Sequence, residues 1–113
     1  MNYTGKAQFS LTLVAPPELE SEGDRVFSLH AAWMEETHYR EGENALLQYT
    51  VAKRFDDEGN IIFVLTEVYE TMAGVEDHYE QAGNWEWIDD WRKFTGQCQV
   101  TYGGGASIIH SLW

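Results

Sequence analysis

The segment Ile61-Ile62-Phe63-Val64-Leu65-Thr66-Glu67-Val68-Tyr69-Glu70 sets the tightest limit on what this chain can become. It reads as a strand, and both of its alternating sets are largely apolar: Phe63, Leu65 and Tyr69 on one side, Ile62, Val64 and Val68 on the other. A strand in a sheet with one wet face is polar at every second position. This one needs a layer on each side. The rest of the chain must supply those layers.

Leu46 to Phe55 is a second strand, joined to Ile61–Glu70 by Asp56-Asp57-Glu58-Gly59-Asn60, a loop suited to a hairpin. Before them, Ala7 to Val14 alternates Phe9, Leu11 and Leu13 with polar residues until Pro16-Pro17 ends the strand. The period then changes. Val26, Leu29, His30, Trp33, Met34 and Thr37 form one helical stripe, with Ser21 as the expected N-cap and an expected stop near His38. Thr71 can cap a second helix whose inner stripe is Val75, His78, Tyr79 and Ala82, interrupted at Gly83-Asn84. A shorter helix carries Trp85, Trp87, Trp91 and Phe94 up to Gly96. Gln97 to Tyr102 alternates again, Gly103-Gly104-Gly105 is expected to break it, and Ala106 to Trp113 reads as a short strand or extended tail.

The order predicts an α+β fold, a ferredoxin-like βαββαβ arrangement of one antiparallel sheet under two main helices, spanning residues 1–113 as a single domain. Two helices cover one face only. The other face calls for a second copy packed sheet to sheet, a homodimer through the open face with a barrel-like core, or for the C-terminal tail folded over it. Seven basic against nineteen acidic residues give a net charge of −12, which argues against nucleic acid and anionic membrane surfaces as partners. Cys98 is the lone cysteine, so neither an internal disulfide nor a thiolate metal site is expected. The first residues do not read as a signal peptide and no apolar run reaches ~18 residues, so the expected location is cytoplasmic.

The stretch Phe63-Val64-Leu65-Thr66-Glu67-Val68-Tyr69-Glu70, followed by Gly74-Val75-Glu76-Asp77-His78-Tyr79, resembles the dimeric α+β barrel proteins. The likeness is strongest to the antibiotic biosynthesis monooxygenase-like group and to related small proteins without an assigned activity. In that group the third strand ends in a Glu-x-Tyr-like stretch and the next helix carries a histidine that points to a pocket between helices and sheet. Glu67, Tyr69 and His78 occupy those positions here.

The remaining candidates come from the residues themselves. There are four histidines, and His30, next to Trp33 and Met34 on an apolar stripe, is either a core histidine or the roof of a pocket over the sheet. His78 lies on the inward stripe of the neighbouring helix, so the two can converge. Glu67 interrupts an apolar strand and requires a partner: a histidine that it orients, or Arg54 or Lys53 on the adjacent strand. Tyr49 and Tyr69 can present phenolic hydroxyls to a ligand or simply pack. His38 with Arg40 can bind an anion at a pocket mouth, or His38 can serve the helix C-terminus. His30 and His38 are about 12 Å apart along a helix at ~1.5 Å per residue, too far to share a metal, so no metal and no cofactor is expected. Trp85, Trp87 and Trp91 span both faces of a short helix and are assigned to an interface or a pocket lid.

Together these predict a pocket for a small hydrophobic or aromatic molecule, with His78 as base, Glu67 as its orienter, and His30, Trp33, His38, Tyr49, Tyr69 and Trp85 contacting the ligand. The resemblance implies a cofactor-independent monooxygenase or isomerase. Whether the chain is an enzyme at all is open at this level, and a non-catalytic ligand-binding or interaction module is the other class.

Overall fold

A computed structural model describes residues 2–113. It contains β1 (Ala7–Ala15), α1 (Glu20–Thr37), β2 (Leu46–Phe55), β3 (Ile61–Tyr69), α2 (Met72–Ala82), α3 (Ile88–Thr95) and β4 (Gln99–Ser107). The strands form one sheet in the order β2-β3-β1-β4, and each neighbouring pair is antiparallel. This is the ferredoxin-like α+β arrangement. No helix among the described residues is long and apolar enough to cross a membrane.

Period-two patterning explains the sheet. In β1, Ala7, Phe9, Leu11, Leu13 and Ala15 are buried under the helices, while the residues between them lie on the opposite face. Leu11 faces Leu65 and Leu13 faces Phe63 across the ladder, so apolar side chains meet on the helix side. The β2–β3 loop is closed by Asp56, whose carboxylate accepts backbone N–H bonds from Glu58 and Asn60.

The helices dock where small residues let them approach. Gly23 of α1 sits so close to the sheet that a Cβ there would lie 2.5 Å from the Phe63 ring. Around that contact Phe27 meets Phe63 at 5.0 Å and Trp91 of α3 at 5.2 Å between ring centroids, and Phe94 is fully buried. Burying each such side chain stabilises the fold by roughly 1.5–3 kcal/mol.

Three sequence expectations are corrected. Ser21 is not the N-cap of α1: the helix begins at Glu20, directly after a 3₁₀ turn over Pro17–Leu19, with no side-chain cap bond. Proline fixes the backbone for that turn and leaves the entry already helical. The three glycines do not break the last strand. β4 runs through them to Ser107 because its register shifts opposite Gln8 and Ser10, and Gly105 takes a left-handed φ of +48° there. Beyond Ser107 the chain does not cover the sheet; it runs beside residues 2–6, with Ile108 exchanging backbone bonds with Gly5 and Lys6. Ile109, Leu112 and Trp113 stay exposed, and on the open face Val64 is 36% exposed.

Candidate functional site

The other end of the helix–sheet interface, between Ala7 and Tyr69, is polar. β3 brings Glu67 and Tyr69 to the helix side, and β2 places Tyr49 directly opposite Glu67. Thr71 caps α2 by accepting the Ala73 N–H at 3.1 Å, which sets the helix so that Val75 and His78 point inward. α1 contributes His30. At its end His38 leaves the helical conformation, with ψ of 148°, and its ring turns under the helix, only 8% exposed.

A row of hydrogen bonds then fixes which nitrogens carry protons. The Thr37 hydroxyl donates to the Trp33 carbonyl at 2.7 Å. Having a single proton, it can only accept from His38 Nδ1, 3.0 Å away. His38 therefore carries hydrogen on Nδ1 and a lone pair on Nε2. That lone pair accepts from His78 Nδ1 at 2.9 Å. His78 is left with a bare Nε2, which has no hydrogen-bond partner among the described residues. The assignment applies to neutral imidazoles, and burial keeps them neutral: His78 is pushed down to about 4 and His30 to about 3, and His38 is also lowered.

The second set is built on Glu67, which is 0% exposed. Tyr69 donates its hydroxyl to Oε1 at 2.5 Å, while Oε2 has no partner. Burial raises the carboxyl to about 7 even though the Tyr69 bond opposes the shift. Burial likewise raises the Tyr49 and Tyr69 phenols, so both keep their protons. Tyr49 pairs with His30 Nδ1 at 2.7 Å. One nitrogen from each of His30 and His78 and one oxygen of Glu67 lie within 4.8 Å of one another.

Both imidazoles border a cavity of about 350 Å³ between the helices and the sheet. Its upper wall is aromatic: Trp33 stacks on Trp85 at 5.2 Å, and Trp91 stacks on His30 at 4.7 Å. Phe9, Leu11 and Leu65 form the floor, with the exposed Tyr79 and Tyr102 on the rim. A hollow of about 480 Å³ on the other side of His38 is bordered by Arg40, Gln48 and Tyr49.

His30 and His78 converge, with ring centroids 5.8 Å apart, and Trp33 and Trp85 border the same cavity. The other placements differ from the sequence reading. Glu67 does not orient His78; Oε1 stands 3.9 Å from Nδ1, and His38 occupies that nitrogen. Neither basic neighbour pairs with Glu67, because Lys53 reaches across to Glu20 and Asp24 on α1 and Arg54 lies on the open face. Tyr69 is buried and engaged with Glu67, and Tyr49 with His30, so neither hydroxyl is offered to the 350 Å³ cavity. His38 has both nitrogens engaged and cannot hold an anion, and Arg40 stands alone at its hollow. Of the three tryptophans on the α3 segment, Trp87 is on the surface at 38% exposure. Tyr79, expected on the inner stripe of α2, is instead exposed at the cavity rim, and Tyr79, Tyr102 and Phe9 were not read from the sequence as cavity residues.

No protein-family model and no curated protein matches this chain. Among solved structures it is similar to that of a candidate antibiotic biosynthesis monooxygenase from Caulobacter crescentus, with 19% sequence identity, a TM-score of 0.60 and 94% of each chain covered. At that identity the likeness shows a shared fold and nothing of activity.

Proposed function

We propose that this chain binds a small hydrophobic or aromatic compound bearing an acidic O–H or C–H, and removes that proton with Nε2 of His78. The observation that carries the reading is the bare Nε2 of His78 at the wall of an aromatic cavity of about 350 Å³. Its lowered basicity means that it takes a proton only where the new positive charge is paired. The substrate anion supplies one partner, and the Glu67 carboxyl, 3.9 Å from Nδ1, supplies another. The anion left behind reprotonates at a different atom in an isomerase. In a cofactor-independent monooxygenase it gives its electrons to dioxygen, one oxygen atom staying on the product and the other leaving as water. The fold shared with the Caulobacter protein supports the second outcome by analogy only.

The non-catalytic module would need both imidazoles fully paired to protein groups. Among the described residues neither His30 nor His78 has a hydrogen-bond partner on Nε2, and both rings border the cavity, which favours the enzyme. The expected assembly is a cytoplasmic homodimer through the open sheet face, where Ile62, Val64 and Thr66 lie uncovered by helices. Solution mass measured for the native chain and for Val64→Lys checks it: the native chain should be a dimer and the variant a monomer.

The functional test uses 1-naphthol as probe, in the presence of a chelator. Saturable quenching of tryptophan fluorescence is expected, together with its loss in His78→Ala while far-UV circular dichroism is unchanged. Naphthol binding that is indifferent to His78→Ala would refute the role given to His78.

A further inference from the structure

Glu67 is a fully buried carboxyl that forms no ion pair with any lysine or arginine among the described residues, and its Oε2 is without a partner. Buried carboxylates are ordinarily paired with a cation or coordinate a metal. We propose that His30, Glu67 and His78 form a site for one first-row divalent cation, of the iron(II) or zinc type, at the cavity wall that the two histidines border.

The three donor residues come from three elements, α1, β3 and α2, and one side-chain ligand atom of each lies within 4.8 Å of the others. Around such a cation, bonds of roughly 2.0–2.2 Å place ligand atoms about 3–3.5 Å apart, so the three side chains must draw closer together to close the site. Each donor residue is held from behind. His38 accepts from His78 Nδ1, Tyr49 pairs with His30 Nδ1, and Tyr69 donates to Glu67 Oε1. Supporting bonds of this kind fix ring orientation and tautomer at metal centres. Here they leave the lone pair of His78 Nε2 and the whole of Oε2 uncommitted.

Two imidazoles and one carboxylate select borderline first-row cations. Calcium and magnesium prefer all-oxygen sets, and Cu(I) prefers thiolates or thioethers. Three protein donors leave positions for water or for an oxygen of a compound in the cavity, the pattern of a reactive centre rather than of a closed structural one. The aromatic walls supply a dry surround, and the cavity supplies the route in. The histidine spacing that argues against a metal in the sequence concerned His30 and His38 on one helix; folding instead brings His78 and Glu67 to His30.

This inference goes beyond the proton-transfer reading and does not rest on it. The two meet at His78: a bound cation takes the Nε2 lone pair, so the loaded chain cannot use that atom as a base. The test is to strip the full chain with chelator and titrate it with Co²⁺ alone, a spectroscopic stand-in for either metal. Visible d–d absorption saturating at one equivalent per chain is expected, with Glu67→Gln weakening binding by more than about tenfold, the lower end of the loss seen when even a supporting group is removed. Proton NMR of the unsubstituted chain needs no variant to fold. Co²⁺ should broaden or shift the rings of His30, His78 and the stacked Trp91 while sparing the exposed His110. Absence of binding, several equivalents, unchanged affinity in a folded Glu67→Gln, or broadening centred on His110 would each overturn the site. Because the naphthol test runs in chelator, either proposal can fail alone.

Discussion

The two ends of the helix–sheet interface solve the same packing problem with opposite materials. At the Ala15 end, Leu13, Phe27, Phe63 and Phe94 close a dry core that needs no directional bonds. At the Ala7 end, the same strands and the same helix α1 enclose three hydrogen-bonded pairs, Tyr69 with Glu67, Tyr49 with His30 and His38 with His78, with one carboxyl oxygen left over. Apolar packing tolerates small errors of position at modest cost, whereas buried polar groups have few satisfactory arrangements. The dry end thus carries stability, and the polar end carries chemistry.

The sharpest way to break this comparison is to empty the dry end. Phe63→Ala should lower unfolding free energy by about 3–5 kcal/mol in denaturant titration, the range for a large aromatic truncated in a core. A loss no greater than that from His78→Ala would erase the distinction. His78→Ala removes the donor to His38 Nε2 and should cost about 1–3 kcal/mol, in addition to abolishing naphthol binding.

Acid separates the two ends without mutation. In the metal-free chain, His30 and His78 sit near 3 and 4 when folded, below the ordinary 6.5, so the unfolded chain binds more protons on the acid side. Their contribution is therefore complete above about pH 6.5 and is lost as pH falls toward 4. Glu67 runs the other way: raised from 4.5 to about 7, it favours the folded state at low pH and withdraws that support as pH rises through 7. Two imidazoles outweigh one carboxyl, since each pKa unit is worth ~1.4 kcal/mol. The unfolding midpoint should climb from pH 4 to about 6.5 and then level or dip. Glu67→Gln should steepen the acid limb and remove the dip.

The smallest effect tests the relay alone. Thr37→Val keeps the shape but removes the acceptor for His38 Nδ1–H. About 1 kcal/mol of stability should be lost. Nitrogen NMR should show His78 no longer held with its proton on Nδ1, while the dry core, followed by Phe27 ring signals, is unchanged.

Much of the fold was legible because it depends on periodicity. The alternation in Ala7–Ala15 and Ile61–Tyr69, the stripe from Val26 to Thr37 and the Asp56–Asn60 loop each specify local structure and the face to be buried. Periodicity also placed His30, His78 and Glu67 on inward faces. It said nothing about His38, because at the helix terminus the backbone turns extended and the stripe no longer predicts where a ring points. It also could not pair Glu67. The choice between Lys53, Arg54, Tyr69 and His78 depends on which side chains share a face across elements, and on α1 offering Lys53 two carboxylates of its own. The glycine triplet was misread because a register shift in β4 is specified jointly with β1.

The Thr37 hydroxyl bonded to the Trp33 carbonyl has one further consequence. A single peptide oxygen in the last turns of α1 dictates the direction of every proton in the row that ends at His78. A residue in place of Thr37 that offered His38 Nδ1 a proton would reverse the row, and His78 would meet the cavity with an N–H in place of a lone pair. No heavy atom need move for a base to become a hydrogen-bond donor. The character of the site is written in its hydrogens, and a family of proteins with this same shape can differ in chemistry through one hydroxyl that never touches the ligand.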